Sequence, residues 1–79
     1  MQATLEEVKT LIEEGFPRSD VSQIAEDGHR ITGVIYWEDF REMKMGERTQ
    51  LVTKRVRDKL GLKGLNVGIL FPLARGEKL

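Results

Sequence analysis

Candidates for nucleophilic or metal chemistry begin with one imidazole, His29, and two serines, Ser19 and Ser22; the chain has no cysteine. A hydroxyl becomes a nucleophile only with a base in hydrogen-bond reach and a third group orienting that base. Neither serine sits in a Gly-x-Ser-x-Gly context, and both are distant in sequence from His29. One histidine without cysteine cannot close a tetrahedral zinc or iron–sulfur site alone, so any metal at His29 would have to be shared with another molecule. The acidic pairs Glu6/Glu7, Glu13/Glu14, Glu26/Asp27 and Glu38/Asp39 are adjacent in sequence. Adjacent side chains diverge on a helix and alternate across a strand, so these pairs are not set for acid–base work. No enzyme is expected from this inventory.

The other chemistry on offer is charge. Residues 1–40 carry three basic against nine acidic side chains, whereas residues 41–63 carry eight basic against three acidic, although the whole chain is formally neutral. Lys54, Arg55, Arg57 and Lys59 crowd one predicted helix, preceded by Arg48 and followed by Lys63. Opposite an apolar stripe of Met45, Val52 and Val56 they would form a positive ridge, able to steer an acidic partner or to contact phosphates. No cluster of Arg or Asn at a helix start suggests base-specific reading. Gly61-Leu-Lys-Gly64 spells the Gly-x-x-Gly of nucleic-acid clamps, but here it leads from a helix into a strand, which a helix stop explains.

The elements that must position these side chains belong to one small domain. A chain this short buries only about 60–65% of its unfolded surface, which argues against a long buried catalytic cleft. Hydrophobic content of 39% with 33% charge argues against disorder. No apolar run approaches the roughly 18 residues of a membrane span, and the acidic start lacks a signal or transit pattern, so a soluble cytoplasmic protein is expected.

Thr4 with Glu7 forms a capping-box pattern, and Leu5, Val8, Leu11 and Ile12 follow at helical spacing, predicting a helix over 5–14 stopped by Gly15 and Phe16-Pro17. A short extended stretch from Asp20 to Ala25, containing Val21-Ser-Gln-Ile24, a turn at Glu26–His29 and a β-branched strand over 30–37 predict an antiparallel hairpin. Trp37 or Phe40 is assigned to the core, with Tyr36 facing the opposite way along the strand. The principal helix is expected over 46–60 with Gly61 as its stop, then a strand over 65–71 that Pro72 ends, then a frayed tail from Ala74. The order helix-strand-strand-helix-strand predicts a two-layer α+β sandwich, a three-stranded mixed sheet with both helices on one face.

This order, with Phe16-Pro17 after the first helix, Asp27-Gly-His-Arg30, Phe40, Arg48-Thr-Gln-Leu-Val52 and Leu65-Asn-Val-Gly68, resembles the BolA-like proteins over roughly residues 4–71. The resemblance implies a fold related to class II KH domains. It also implies association with a monothiol glutaredoxin in iron–sulfur handling, with a [2Fe-2S] cluster shared between the partners, and transcriptional regulation for some members. By resemblance the partner surface is Arg48, Lys54, Arg55, Arg57, Lys59, Lys63, Leu65 and Asn66, with Leu65 and Trp37 or Tyr36 as apolar anchors, and the loop ligand is His29, with the adjacent Asp27 as the alternative. The chain departs from the family pattern at Thr49 and Asn66, where histidines are usual. A neutral amide is a poor iron ligand, so at Asn66 the protein-binding surface is expected to persist without the family's ligation. The alternative is a nucleic-acid-binding or transcription-regulating module that uses the same basic helix.

Overall fold

The structure, a computed structural model, describes residues 2–78. Helix α1 (Leu5–Gly15) starts on the expected box: the Glu7 amide donates to Thr4 Oγ1 and the Thr4 amide to Glu7 Oε1, each at 3.1 Å. Strands β1 (Ala25–Asp27) and β2 (Arg30–Tyr36) pair antiparallel across a two-residue turn, Gly28-His29. Gly28 takes the left-handed conformation there, φ 64°. A short 3₁₀ helix (Glu38–Glu42) leads to α2 (Met45–Val52), which continues through a π turn (Thr53–Arg57) into α3 (Asp58–Leu60). A second 3₁₀ segment (Gly61–Asn66) enters β3 (Val67–Leu73), parallel to β2, and the sheet order is β1-β2-β3.

The architecture is the expected two-layer α+β arrangement. Val8 and Ile12 of α1 and Val52 and Val56 of the long helix share one core with Ile31, Ile35, Val67 and Leu70 of the sheet, so both helices cover the same face. Phe16, Trp37 and Phe40 close one end with ring centroids 4.9–5.4 Å apart. The Trp37 indole donates to the Pro17 carbonyl at 2.9 Å, which satisfies its polar edge. Both Trp37 and Phe40 are therefore core residues, not one of the two.

Local boundaries moved for physical reasons. Of the expected stretch 20–25 only the ends pair, Asp20 in a bridge to Tyr36 and Ala25 in β1; residues 21–24 are not a strand, because the Asp20 carboxylate accepts the Ser22 amide at 2.8 Å in a turn that competes with pairing. Ile24 dives into the core instead, and Glu26 and Asp27, expected in the turn, form the strand. Gly15 does not supply a left-handed stop; that conformation falls on Arg18, φ 69°. Gly15 is instead where the long helix comes close, since a β-carbon on it would stand 3.1 Å from Arg55 Cβ.

Pro72 does not end pairing either. It is in register with Ile35, and Leu73 with Tyr36. The Leu73 carbonyl accepts the Trp37 amide, so Leu73 turns its main chain toward β2, and Pro72 and Ala74 turn theirs to the free edge. A proline loses no donor there. The segment after it is not frayed over the described residues: Ala74 is fully buried, and Glu77 and Arg75 bond back into the domain. Leu79 lies outside the described residues.

Candidate partner-docking surface

The basic side chains of the long helix divide into those bound inside the domain and those left to water. Arg48 is a correction to the expected ridge: it is 6% exposed. Its Nε donates to the Met43 carbonyl at 3.0 Å, Nη1 to the Pro72 carbonyl at 3.1 Å, and the two Nη atoms grip the Glu77 carboxylate at 2.7 and 3.1 Å. A guanidinium tolerates burial when its fork is filled in this way.

Arg55 also turns inward. It donates to the Gly15 carbonyl at 2.8 Å and lies over the Phe16 and Trp37 rings, 5.3 and 5.7 Å from their centroids. The last turn of α1 has no basic residue of its own, so Arg55 supplies the cation for its negative end. Arg57 donates to the Val67 and Gly68 carbonyls at the edge of β3. These carbonyls have no fourth strand to pair with, which is why an arginine reaches them.

Lys63 is half-buried and paired with Glu7. The Lys63 ammonium, with the Thr4 amide behind it, holds the Glu7 carboxyl below the usual carboxylate range. This pair ties the acidic first helix to the basic stretch, so part of the charge asymmetry is internal complementarity. Lys54 and Lys59 are exposed, as expected.

The strongest apolar exposure flanks these lysines. Leu65, expected as an anchor, is 78% exposed, and Leu62, which the sequence reading missed, is 84% exposed. Both sit on the 3₁₀ segment between Gly61 and Asn66, so the Gly-x-x-Gly spelling is a helix exit into a strand. Gly61 has φ 57°. Leu62 was legible only as part of a four-residue stop; its position outside the 3.6 period of the helix was the available signal.

Asn66 is not open to a partner. It is 6% exposed, and its Nδ2 donates to the Ala3 carbonyl at 3.0 Å. The Oδ1 is buried without a hydrogen-bond partner among the described residues. His29 is exposed in the hairpin turn. It shares one end of the sheet with Asn66, because Ile31 pairs with Val67, but the amide is turned into the domain. Among the described residues no group of three or more His, Cys, Asp or Glu could hold a metal ion. The donor set does not fit the family's cluster: one surface imidazole remains, and the second position is a buried neutral amide. Ser19 lies beside the Asp20–Tyr36 bridge, roughly six strand positions or about 20 Å along the hairpin from the turn that carries His29. Those two residues are not brought together.

Glu77 links this surface to pH. The Arg48 guanidinium, helped by the Ala74 amide, lowers its pKa from 4.5 to about 2. A depressed carboxylate pKa gives stability that is present above the unfolded value and is lost as pH falls toward the folded one. Stability should therefore decline between about pH 4.5 and pH 2. The Glu77→Gln variant should show a flatter decline across that window, measured by urea titration at each pH. Equal slopes for both proteins would refute the assignment.

These features define a small α+β domain with an internally braced long helix and an exposed apolar corner at its end. Compared with protein-family models, curated proteins and solved structures, the chain matches none.

Proposed function

We propose that this chain is a non-enzymatic adaptor that docks another protein in the manner of BolA-like proteins, with a monothiol glutaredoxin as the first partner to test. The observation that carries this reading is the exposed pair Leu62 and Leu65, at 84% and 78%, beside Lys59 and Lys63. Large apolar side chains held this far into water on a short structured segment suit a docking anchor better than packing. The helix-strand-strand-helix-strand order and the frame from Phe40 to Gly68 support the same class of protein.

Iron–sulfur handling enters this reading through the partner. No step is assigned to a cluster on this chain, since Asn66 faces inward and His29 would be a single ligand. The nucleic-acid alternative draws less support, because Arg48, Arg55 and Arg57 commit their guanidiniums to internal carbonyls. Phosphate-driven binding needs several free cations acting together.

Titration of the ¹⁵N-labelled chain with a cluster-loaded monothiol glutaredoxin should shift the amides of residues 59–67. Leu65→Asp should weaken that binding by about tenfold or more while leaving the fold intact, because the side chain is exposed. No shift at high micromolar partner, or an unchanged affinity for Leu65→Asp, would overturn the reading.

A further inference from the structure

The Glu77 carboxylate sits in a complete set of donors. Arg48 Nη1 and the Ala74 amide both donate to its Oε1, at 2.7 and 2.8 Å, and Arg48 Nη2 donates to Oε2 at 3.1 Å. A guanidinium fork with a main-chain N–H beside it recognises a carboxylate whatever molecule carries it. The depression around these groups is lined by Met45, Leu73 and Lys78, so an aliphatic stem finds apolar walls there.

The donors and the carboxylate are held by different means. Arg48 is 6% exposed, and apart from Glu77 it is fixed by the Met43 and Pro72 carbonyls at 3.0 and 3.1 Å. Ala74 is fully buried just after β3. Both therefore keep their places without Glu77. Residues 75–78, by contrast, contribute no side chain to the apolar core. A turn holds them, closed by the Glu77 amide on the Ala74 carbonyl at 3.1 Å with Gly76 at φ 86°. Arg75 adds a carbonyl that accepts from the exposed Arg41 and a side chain that approaches Asp20 only to 3.6 Å. A segment tied by a few solvent-facing bonds opens locally at lower cost than the whole domain unfolds.

Opening leaves a guanidinium more than nine-tenths buried and without a counter-charge. Such a charge is costly, so a replacement carboxylate gains more here than at an exposed cation. The Lys63–Glu7 pair, about 40% exposed on both sides, lacks this property. Donors already in place also spare a ligand the cost of assembling them.

We infer that Arg48 and the Ala74 amide form a binding site for an aliphatic carboxylate of another molecule, and that Glu77 fills it from within the chain as an exchangeable stand-in. The chemistry is common to a free carboxylic acid, an acidic side chain and the C-terminal carboxylate of a polypeptide. Glu77 itself shows what the site accepts. The inference stands apart from the adaptor reading, since it uses neither Leu62 nor Leu65.

The test empties the site with Glu77→Ala and follows the urea midpoint and amide spectrum of the full chain as sodium propionate is added. Propionate should raise the midpoint saturably and shift the Ala74 amide and the Arg48 Nε–H. Propionamide, inorganic phosphate and sodium chloride at equal ionic strength should do neither. Should Glu77→Ala be unfolded without the acid, refolding on its addition is the same readout. The wild-type Ala74 amide should respond to propionate at least tenfold more weakly, because the tethered Glu77 competes at high local concentration. Glu7→Ala, which removes the exposed partner of Lys63, should gain nothing from propionate. Two peptides separate the sources: an amidated one with a single internal glutamate, and one with a free C-terminal carboxylate and no acidic side chain. Whichever binds Glu77→Ala more tightly than propionate carries the group that the site takes; if neither does, the ligand is a free acid. The inference is overturned if propionamide, phosphate or chloride matches propionate, or if the Ala74 amide of Glu77→Ala stays still. It is also overturned if the wild type does not respond at molar propionate, or responds at the same concentrations as Glu77→Ala.

Discussion

Arg48→Ala should lower the stability of the domain by about 3 kcal/mol, measured as a fall in the urea midpoint at unchanged slope. The side chain is 6% exposed and joins three parts of the molecule: Met43 before α2, Pro72 on β3, and Glu77 in the C-terminal segment. Truncation leaves two carbonyls and a carboxylate without their donor, the Pro72 carbonyl among them in a buried position. A 79-residue domain is worth only about 4–12 kcal/mol in total, so the loss would bring it near the limit of folding. Arg48→Lys should recover less than half, because one ammonium cannot reproduce a fork that serves Glu77 with two nitrogens. Hydrogen exchange at Ala74 should speed up in both variants. A loss below about 1 kcal/mol in Arg48→Ala would mean that the bonds are peripheral to the fold.

The second large effect is expected at Gly33. Its φ is 152°, and a β-carbon there would stand 2.2 Å from the Gln23 carbonyl oxygen and 2.6 Å from Ile24 Cα. These are backbone atoms, which cannot rotate aside as a flexible side chain can. Gly33→Ala must lift the 21–24 crossing and draw Ile24, 1% exposed, out of the core. A cost of about 3 kcal/mol or more follows from the lost burial and the strained backbone together. Gly46→Ala is the control, since nothing lies within 4 Å of the added carbon and the site is helical. It should be neutral or stabilising by up to about 1 kcal/mol. Equal stabilities for the two variants would show that the crossing is loosely held.

What the residues could and could not reveal separates along a physical line. Periodicity at Leu5, Val8, Leu11 and Ile12 and the Thr4–Glu7 box located α1, because both signals act within a turn or two of chain. The long helix and the strands β2 and β3 were legible for the same reason, whereas β1 formed from Glu26 and Asp27 of the expected turn, and the sandwich followed from one sheet face needing two apolar stripes. The frayed tail and the open ridge were misread, because an arginine's charge says nothing about which carbonyls will be near it. Arg48 and Glu77 are 29 residues apart, and Arg55 and Gly15 are 40 apart; only the folded chain joins them.

The two binding surfaces divide in the same way. Leu65 could be named from the sequence as an apolar anchor, and its exposure is a local consequence of a short 3₁₀ exit from a helix. The carboxylate site at Arg48 and Ala74 required α2, β3 and the C-terminal segment to meet. Pattern along a chain determines which face of each element is greasy. Tertiary packing decides which polar groups find partners inside and which are left for another molecule, because those distances exist only once the layers have closed.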